Sequence, residues 1–240
     1  ATYEGLEVWG LSYKVMLVIS QVLGYMLSKF VGIRFVSALR LERRIAAILA
    51  LIGLAWLTLL GAGMVGYPYA TVFFFLNGLP LGMIWGIVFS FLEGRKLTEL
   101  LGAGMAASFI VGSGWVKAVA RYLMIDWGVS EAWMPFVTAA VFVLPLFLST
   151  FLLSLLPPPN EEDIASRTER APMTRQDRQE FLKEYWPGIL AMVATFVVLT
   201  AYRDFRDKFE VEIWEGLGYS KAAIGGKLAS TNTLIGFLVT

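Results

Sequence analysis

The sequence predicts an all-α, polytopic transmembrane helix bundle, and three observations carry that reading. Apolar residues make up 57% of the 240-residue chain and charged residues 16%, with a mean hydropathy of +0.66. A soluble domain holds roughly a quarter charged residues. Between Ile45 and Leu92 there is no Asp, Glu, Lys or Arg, and apolar runs of membrane-crossing length recur along the rest of the chain.

The uncharged stretch must contain two spans. As one helix it would reach about 72 Å at about 1.5 Å per residue, more than twice a hydrocarbon core of about 30 Å. Glycine and proline accumulate only between Gly61 and Pro68, so the chain is expected to turn there. This gives spans at 45–62 and 69–92. Further spans are expected at 14–33, 97–116, 133–156, 187–205 and 220–240, seven in all. Lys14 and Lys29 bracket the first, and Lys221 and Lys227 enter the last; lysines near span ends can snorkel to water. The span from 133 opens with Ser130 as a capping residue, Trp133 at interface depth and Pro135 in a first turn. Pro145 should kink it. Trp186 and Pro187 open the next span in the same way. The polar stretch from Pro157 to Tyr185 reads as a connecting loop. It divides residues 1–156, most of an N-terminal six-helix bundle, from 187–240, the start of a C-terminal one.

Loop charge orients these spans. One class of loop carries twelve basic residues: Lys29, Arg34, Arg40, Arg43, Arg44, Arg95, Lys96, Arg167, Arg170, Arg175, Arg178 and Lys183. The other carries seven, so the first class is expected in the cytoplasm. The chain begins at Ala1 without a basic or apolar leader and ends inside an apolar run, as a piece of a longer protein would.

Composition narrows the chemistry. The chain has neither Cys nor His, which leaves out thiolate catalysis and the commonest metal ligand and general base. No cofactor, metal or enzymatic activity is expected, and a net charge of +1 gives no reason to expect nucleic acid. The expected partners are the lipid bilayer and a small solute.

A short pattern recurs. Glu7-Val8-Trp9-Gly10-Leu11-Ser12-Tyr13-Lys14 precedes the first span, and Glu212-Ile213-Trp214-Glu215-Gly216-Leu217-Gly218-Tyr219-Ser220-Lys221 precedes the last. They align if Glu215 and Ser220 are insertions. Interface residues could also converge on such a pattern. Six spans separate the copies, so both lie on the same face, as two parallel repeats would place them. The chain then reads as spans two to eight of twelve.

Two six-helix halves joined by a long cytoplasmic loop resemble the major facilitator superfamily. Gly24-Tyr25-Met26-Leu27-Ser28-Lys29-Phe30-Val31-Gly32-Ile33-Arg34 looks like a degenerate form of its Gly-x-Leu-Ala-Asp-Arg-x-Gly-Arg loop motif. Gly24, Lys29, Gly32 and Arg34 match, and Ser28 stands where the motif has Asp. Asn77-Gly78-Leu79-Pro80-Leu81-Gly82 is similar to the family's Arg-x-x-Gln-Gly-x-Gly pattern, with Phe74 where the Arg would be. The resemblance implies a secondary transporter of the bacterial inner membrane that works by alternating access. Two rivals stand beside it: a transport-inactive receptor or scaffold of the same shape, and an intramembrane enzyme.

Candidate substrate-contacting residues are Gln21, Tyr25, Asn77, Arg203, Arg206, Lys227 and Asn232. Gln21 and Tyr25 share one face of the first span with Lys14 and Ser28, and either line a cavity or bond another helix. Asn77 sits at membrane depth beside Pro80, which frees a backbone carbonyl. Thr195, Leu199, Tyr202 and Arg206 form a stripe on the sixth span. Ionisable residues at that depth are costly and are read as functional by default, although Arg203–Asp207 and Asp204–Lys208 are also spaced as helix-surface ion pairs. Arg206 and Lys227 facing one cavity would favour an anion. The resemblance to organic-phosphate permeases, which place arginines on equivalent helices, implies the same. Lys117 and Arg121 read as a salt-bridged rim with Asp126 and Glu131 nearby. Glu93 and Glu99 are the only acids near the mid-chain spans, both at cytoplasmic ends. Glycines at 78, 82 and 86, and again at 102, 104, 112 and 114, suggest close helix packing.

Overall fold

The computed structural model describes residues 3, 5–157, 160–165 and 175–239. A short hairpin, β1 (Glu7–Val8) and β2 (Leu11–Ser12), pairs Glu7 opposite Ser12. The helices follow as α1 (Tyr13–Ala38), α2 (Arg44–Val65), α3 (Ala70–Phe89), α4 (Thr98–Ile125), α5 (Met134–Val141), α6 (Val143–Ser154), α7 (Glu161–Ala165), α8 (Arg175–Gly216) and α9 (Lys221–Val239).

Helices stand where the first five apolar runs place them, and the turn expected between Gly61 and Pro68 falls at Gly66, with α2 running on to Val65, past the expected end of the span at 62. Five helices are long and apolar enough to cross a membrane, and α5 with α6 forms a sixth candidate bent by 47°. The bend follows from Pro145, which cannot bond the carbonyl of Val141 and crowds it; α5 ends at that residue. Outward-facing apolar side chains such as Leu144 (78% exposed) and Phe196 (68%) would be untenable in water on this scale. The chain is therefore a helical membrane protein.

The seventh expected span forms a helix, α9. Three expectations need correction. The stretch read as a polar loop is partly helical. Asn160 caps α7, its Oδ1 accepting from Asp163 N at 2.8 Å while Asp163 Oδ2 accepts from Asn160 N at 3.0 Å, a reciprocal cap. The helix expected to begin at Pro187 starts at Arg175, and it runs on past 205 to Gly216, with a non-helical φ/ψ at Phe209. Lastly, the motif residues Gly24, Lys29, Gly32 and Arg34 lie inside α1 rather than in a loop.

Two close helix seams organise the bundle. In the first, α1 runs parallel to α3 with glycines where the backbones meet. A Cβ on Gly78 would overlap the Gln21 carbonyl oxygen and stand 2.6 Å from Tyr25 N; one on Gly82 would stand 2.8 Å from Tyr25 O. Gly24 answers from α1, its Cβ position 3.0 Å from the carbonyl carbon of Phe75. The small-residue face of the third span is thus a packing device, as expected. On the other side of α3 lies α2, with α5 beyond it, where Trp56 stacks on Phe136 at 5.0 Å and donates to its carbonyl at 3.2 Å.

In the second seam α4 packs antiparallel to α9. Gly114 lets Asn232 and Leu228 approach, and Gly236 sits against Val111 and Ala107. Among the described residues, Gly104 and Gly112 have nothing within 4 Å of a Cβ position, so the packing expectation holds for Gly114 and finds no contact at these two. This seam joins a helix of the first half to one of the second. At the opposite end from the hairpin, Arg44 Nη1 donates to Ser90 O at 3.0 Å and Arg95 Nη2 to Pro157 O at 2.6 Å.

Candidate functional site

Polar side chains collect in two places, one at each seam. The first is centred on Asn77, which is 2% exposed. Its Nδ2 donates to Ala55 O at 2.8 Å and to Thr58 Oγ1 at 3.1 Å, and its Oδ1 accepts from Gln21 Nε2 at 2.9 Å. A buried amide in an apolar bundle must find such partners. One residue of α3 therefore bonds α1 and α2 together. Of the two readings open for Gln21, the interhelical bond is the one formed. Tyr25 is half exposed, and its ring lies 4.4 Å beneath the Lys29 ammonium, which also stands 6.0 Å from the Trp85 ring. Ser28, at the motif's Asp position, is buried and donates to Tyr25 O at 2.7 Å. Gly32 packs on Met83. The side chain of Arg34 lies outside the described residues, as do Arg167 and Arg170.

The second collection lies where α4, α8 and α9 meet, toward the end the charge rule places outside. Ser113, Lys117 and Arg121 are four residues apart and share one face of α4. Lys117 Nζ stands 2.6 Å from Asp207 Oδ1 and 2.8 Å from Glu210 Oε2. Ser113 Oγ donates to the same Asp207 oxygen at 2.7 Å. Asn232 Nδ2 donates to Glu210 Oε1 at 2.9 Å and to Leu228 O at 2.9 Å. Glu210 is 6% exposed and Asn232 is wholly buried, with its Oδ1 lacking a donor among the described residues. One turn before Glu210 on α8, the buried Nε of Arg206 is also without a partner there.

This arrangement replaces several expectations. Lys117 reaches across to α8 instead of forming a rim with Asp126 and Glu131, and Arg121 Nη2 meets Glu215 at 3.3 Å. Glu131 instead accepts from Tyr3 N. Asp207 is held by Lys117 rather than Arg203, which pairs with its neighbour Asp204 at 2.9 Å in an exposed position. Lys227 lies 5.1 Å from the Tyr219 ring, turned toward the α8–α9 connection. Lys14 pairs with Glu212, tying α1 to α8. Among the described residues the buried acid is Glu210, not Glu93 or Glu99. It was legible in principle: the stripe at 195, 199, 202 and 206 continues by four to 210. The expected end of the span at 205 hid it.

The aligned copies before α1 and α9 adopt different shapes, a hairpin at Glu7–Ser12 and the last turn of α8 at Glu212–Gly216. Both lead into a helix that starts within a residue of the aligned Lys, at Tyr13 and at Lys221.

No curated protein and no solved structure matches the chain. One family does match, over residues 1–240 and so across both seams: the chain belongs to DUF5690, a family of unknown function.

Proposed function

We propose that the chain is part of a secondary active transporter of the bacterial inner membrane, with a two-bundle design like that of the major facilitator superfamily. It moves a small anionic solute by alternating access. The observation that carries this reading is Arg206. A guanidinium donor is buried without a partner among the described residues on a membrane helix, beside the seam between α4 and α9. A cation placed at such cost is functional by default, and its free donor suits a carboxylate or phosphate oxygen. Asn232 on α9 bonds Glu210, one turn beyond Arg206 on α8.

The second reading, a transport-inactive receptor or scaffold, draws on Ser28. Its hydroxyl is committed to Tyr25 O, so it forms none of the charge contacts an Asp would make there. Uptake of a panel of phosphate esters and carboxylates by the reconstituted full-length protein separates the two. Transport lost or weakened at least tenfold in Arg206→Ala supports the proposal. Saturable binding without uptake supports the receptor, and affinity unchanged across all anions in both Arg206→Ala and Lys227→Ala sinks the anionic site.

A further inference from the structure

We propose that the outward face of the α1–α3 seam binds the headgroup of an anionic phospholipid, with Lys29 holding its phosphate; this stands independently of the transport reading. Three features meet there. The first is an unneutralised charge. Lys14, Lys96 and Lys117 each pair with a carboxylate. Lys29 instead meets two rings, Tyr25 of α1 at 4.4 Å and Trp85 of α3 at 6.0 Å, and no carboxylate pairs with it among the described residues. Ring faces attract an ammonium but leave its charge in place. The second feature is an excess of donors. Among the described residues no acceptor bonds Lys29 Nζ, the Tyr25 hydroxyl or the Trp85 indole N–H, and both rings are exposed on the outside of the bundle. The third lies below them. Met26 and Val22, one and two turns back along the same face of α1, are exposed, so an apolar track leads from the ammonium toward the bilayer centre.

The spans fix the depth. The membrane-crossing part of α1 is Tyr13–Gly32, which puts Lys29 in its last turn, and Trp85 stands one turn before the end of α3 at Phe89. Both are at headgroup level, at the end that the charge rule places in the cytoplasm. Snorkelling alone would carry the ammonium on into water. Here a ring from the neighbouring helix stands beside it, and that ring is itself held by stacking on Phe89 at 5.1 Å. Arg44, Arg95 and Lys96 at this end are engaged by Ser90 O, Pro157 O and Glu162, while Arg40 and Arg43 in the connection to α2 add positive potential. A phosphodiester meets each need. Its free oxygens are anionic acceptors for the ammonium, indole and phenol donors, and its acyl chains cover Met26 and Val22. A headgroup with its own ammonium would compete with Lys29 for the phosphate, so a glycerol-type, net-anionic headgroup is favoured. Basic sites between membrane helices on the cytoplasmic side suit such lipids.

Native mass spectrometry of the full-length protein, released from micelles holding equal amounts of phosphatidylglycerol and phosphatidylcholine, tests the site. The expected result is preferential retention of phosphatidylglycerol, weakened about fivefold in Lys29→Gln and weakened less in Trp85→Leu. Retention should persist in Lys29→Arg, which keeps the charge, and in Lys96→Gln, which removes a lysine already paired with Glu162. Helical circular dichroism checks that each variant is folded. Equal retention of phosphatidylglycerol by wild type and Lys29→Gln, or no preference for it over phosphatidylcholine in the wild type, overturns the proposal. Displacement of the bound lipid by excess glycerol phosphate also overturns it, and assigns the same chemistry to a soluble anion. None of these measurements depends on uptake, so a failure here leaves the transport reading standing.

Discussion

Replacing Gly78 by Ala tests a close backbone contact between α1 and α3. The added Cβ would overlap the Gln21 carbonyl oxygen and lie 2.6 Å from Tyr25 N and 3.1 Å from the carbonyl carbon of Gly24. All three are backbone atoms, so no side chain can rotate away, and α1 must move off α3 by about 1 Å to reach ordinary contact distances of about 3.5 Å. Overpacking of this kind costs about 1–3 kcal/mol. The displacement also lengthens the 2.9 Å bond from Gln21 to Asn77, worth about 1 kcal/mol. Alanine returns about 1 kcal/mol through its better helix propensity. The net expectation is a loss of about 2 kcal/mol, roughly a 30-fold change in the folding equilibrium. Reversible denaturation of the full-length protein in mixed micelles, followed by circular dichroism, measures it. Gly112→Ala is the internal control: with nothing within 4 Å, it should leave stability unchanged or raise it by up to about 1 kcal/mol. Equal stability of the two variants would refute the assignment of the α1–α3 seam as backbone contact.

Other perturbations follow from the two polar centres. Asn77→Ala should cost about 1–3 kcal/mol, because it strands the Gln21 amide and Thr58 in an apolar seam; Gln21→Ala should cost less, and in the double variant the losses should fall short of additive, as the same denaturation would show. Lys117→Met should destabilise by about 3 kcal/mol, since removing one partner leaves buried charge uncompensated. Adding Glu210→Gln should recover part of that loss, and a strictly additive cycle would mean that the two side chains do not interact.

The α4–α8–α9 junction also indicates why the charges of this chain are spread as they are. Exposed pairs such as Arg203–Asp204 contribute little, and the polar termini of the first half are tied by Arg44 and Arg95 donating to backbone carbonyls. The least exposed ionic contacts lie where α4, α8 and α9 meet.

Periodicity, composition and turn residues were enough to determine that the chain is a helical membrane protein, where its first five spans lie, that it turns between Gly61 and Pro68 and that Pro145 breaks one of those spans. These are local properties: hydropathy over one membrane thickness, a missing N–H, a residue without a Cβ. The small-residue face at 78, 82 and 86 was legible for the same reason. Partnership was not. Lys117 and Arg121 look like a rim pair from their own neighbourhood, and Arg203 looks like the partner of Asp207. Only the tertiary structure brings α8 beside α4, so that Lys117 meets acids ninety residues away in the chain, and only it separates Gly114, pressed against Asn232, from Gly112, which faces open space. Sequence spacing determines which residues share a face of one helix. Which face meets which other helix is decided by the packing of the whole bundle, and the burial of Glu210 lies at that level.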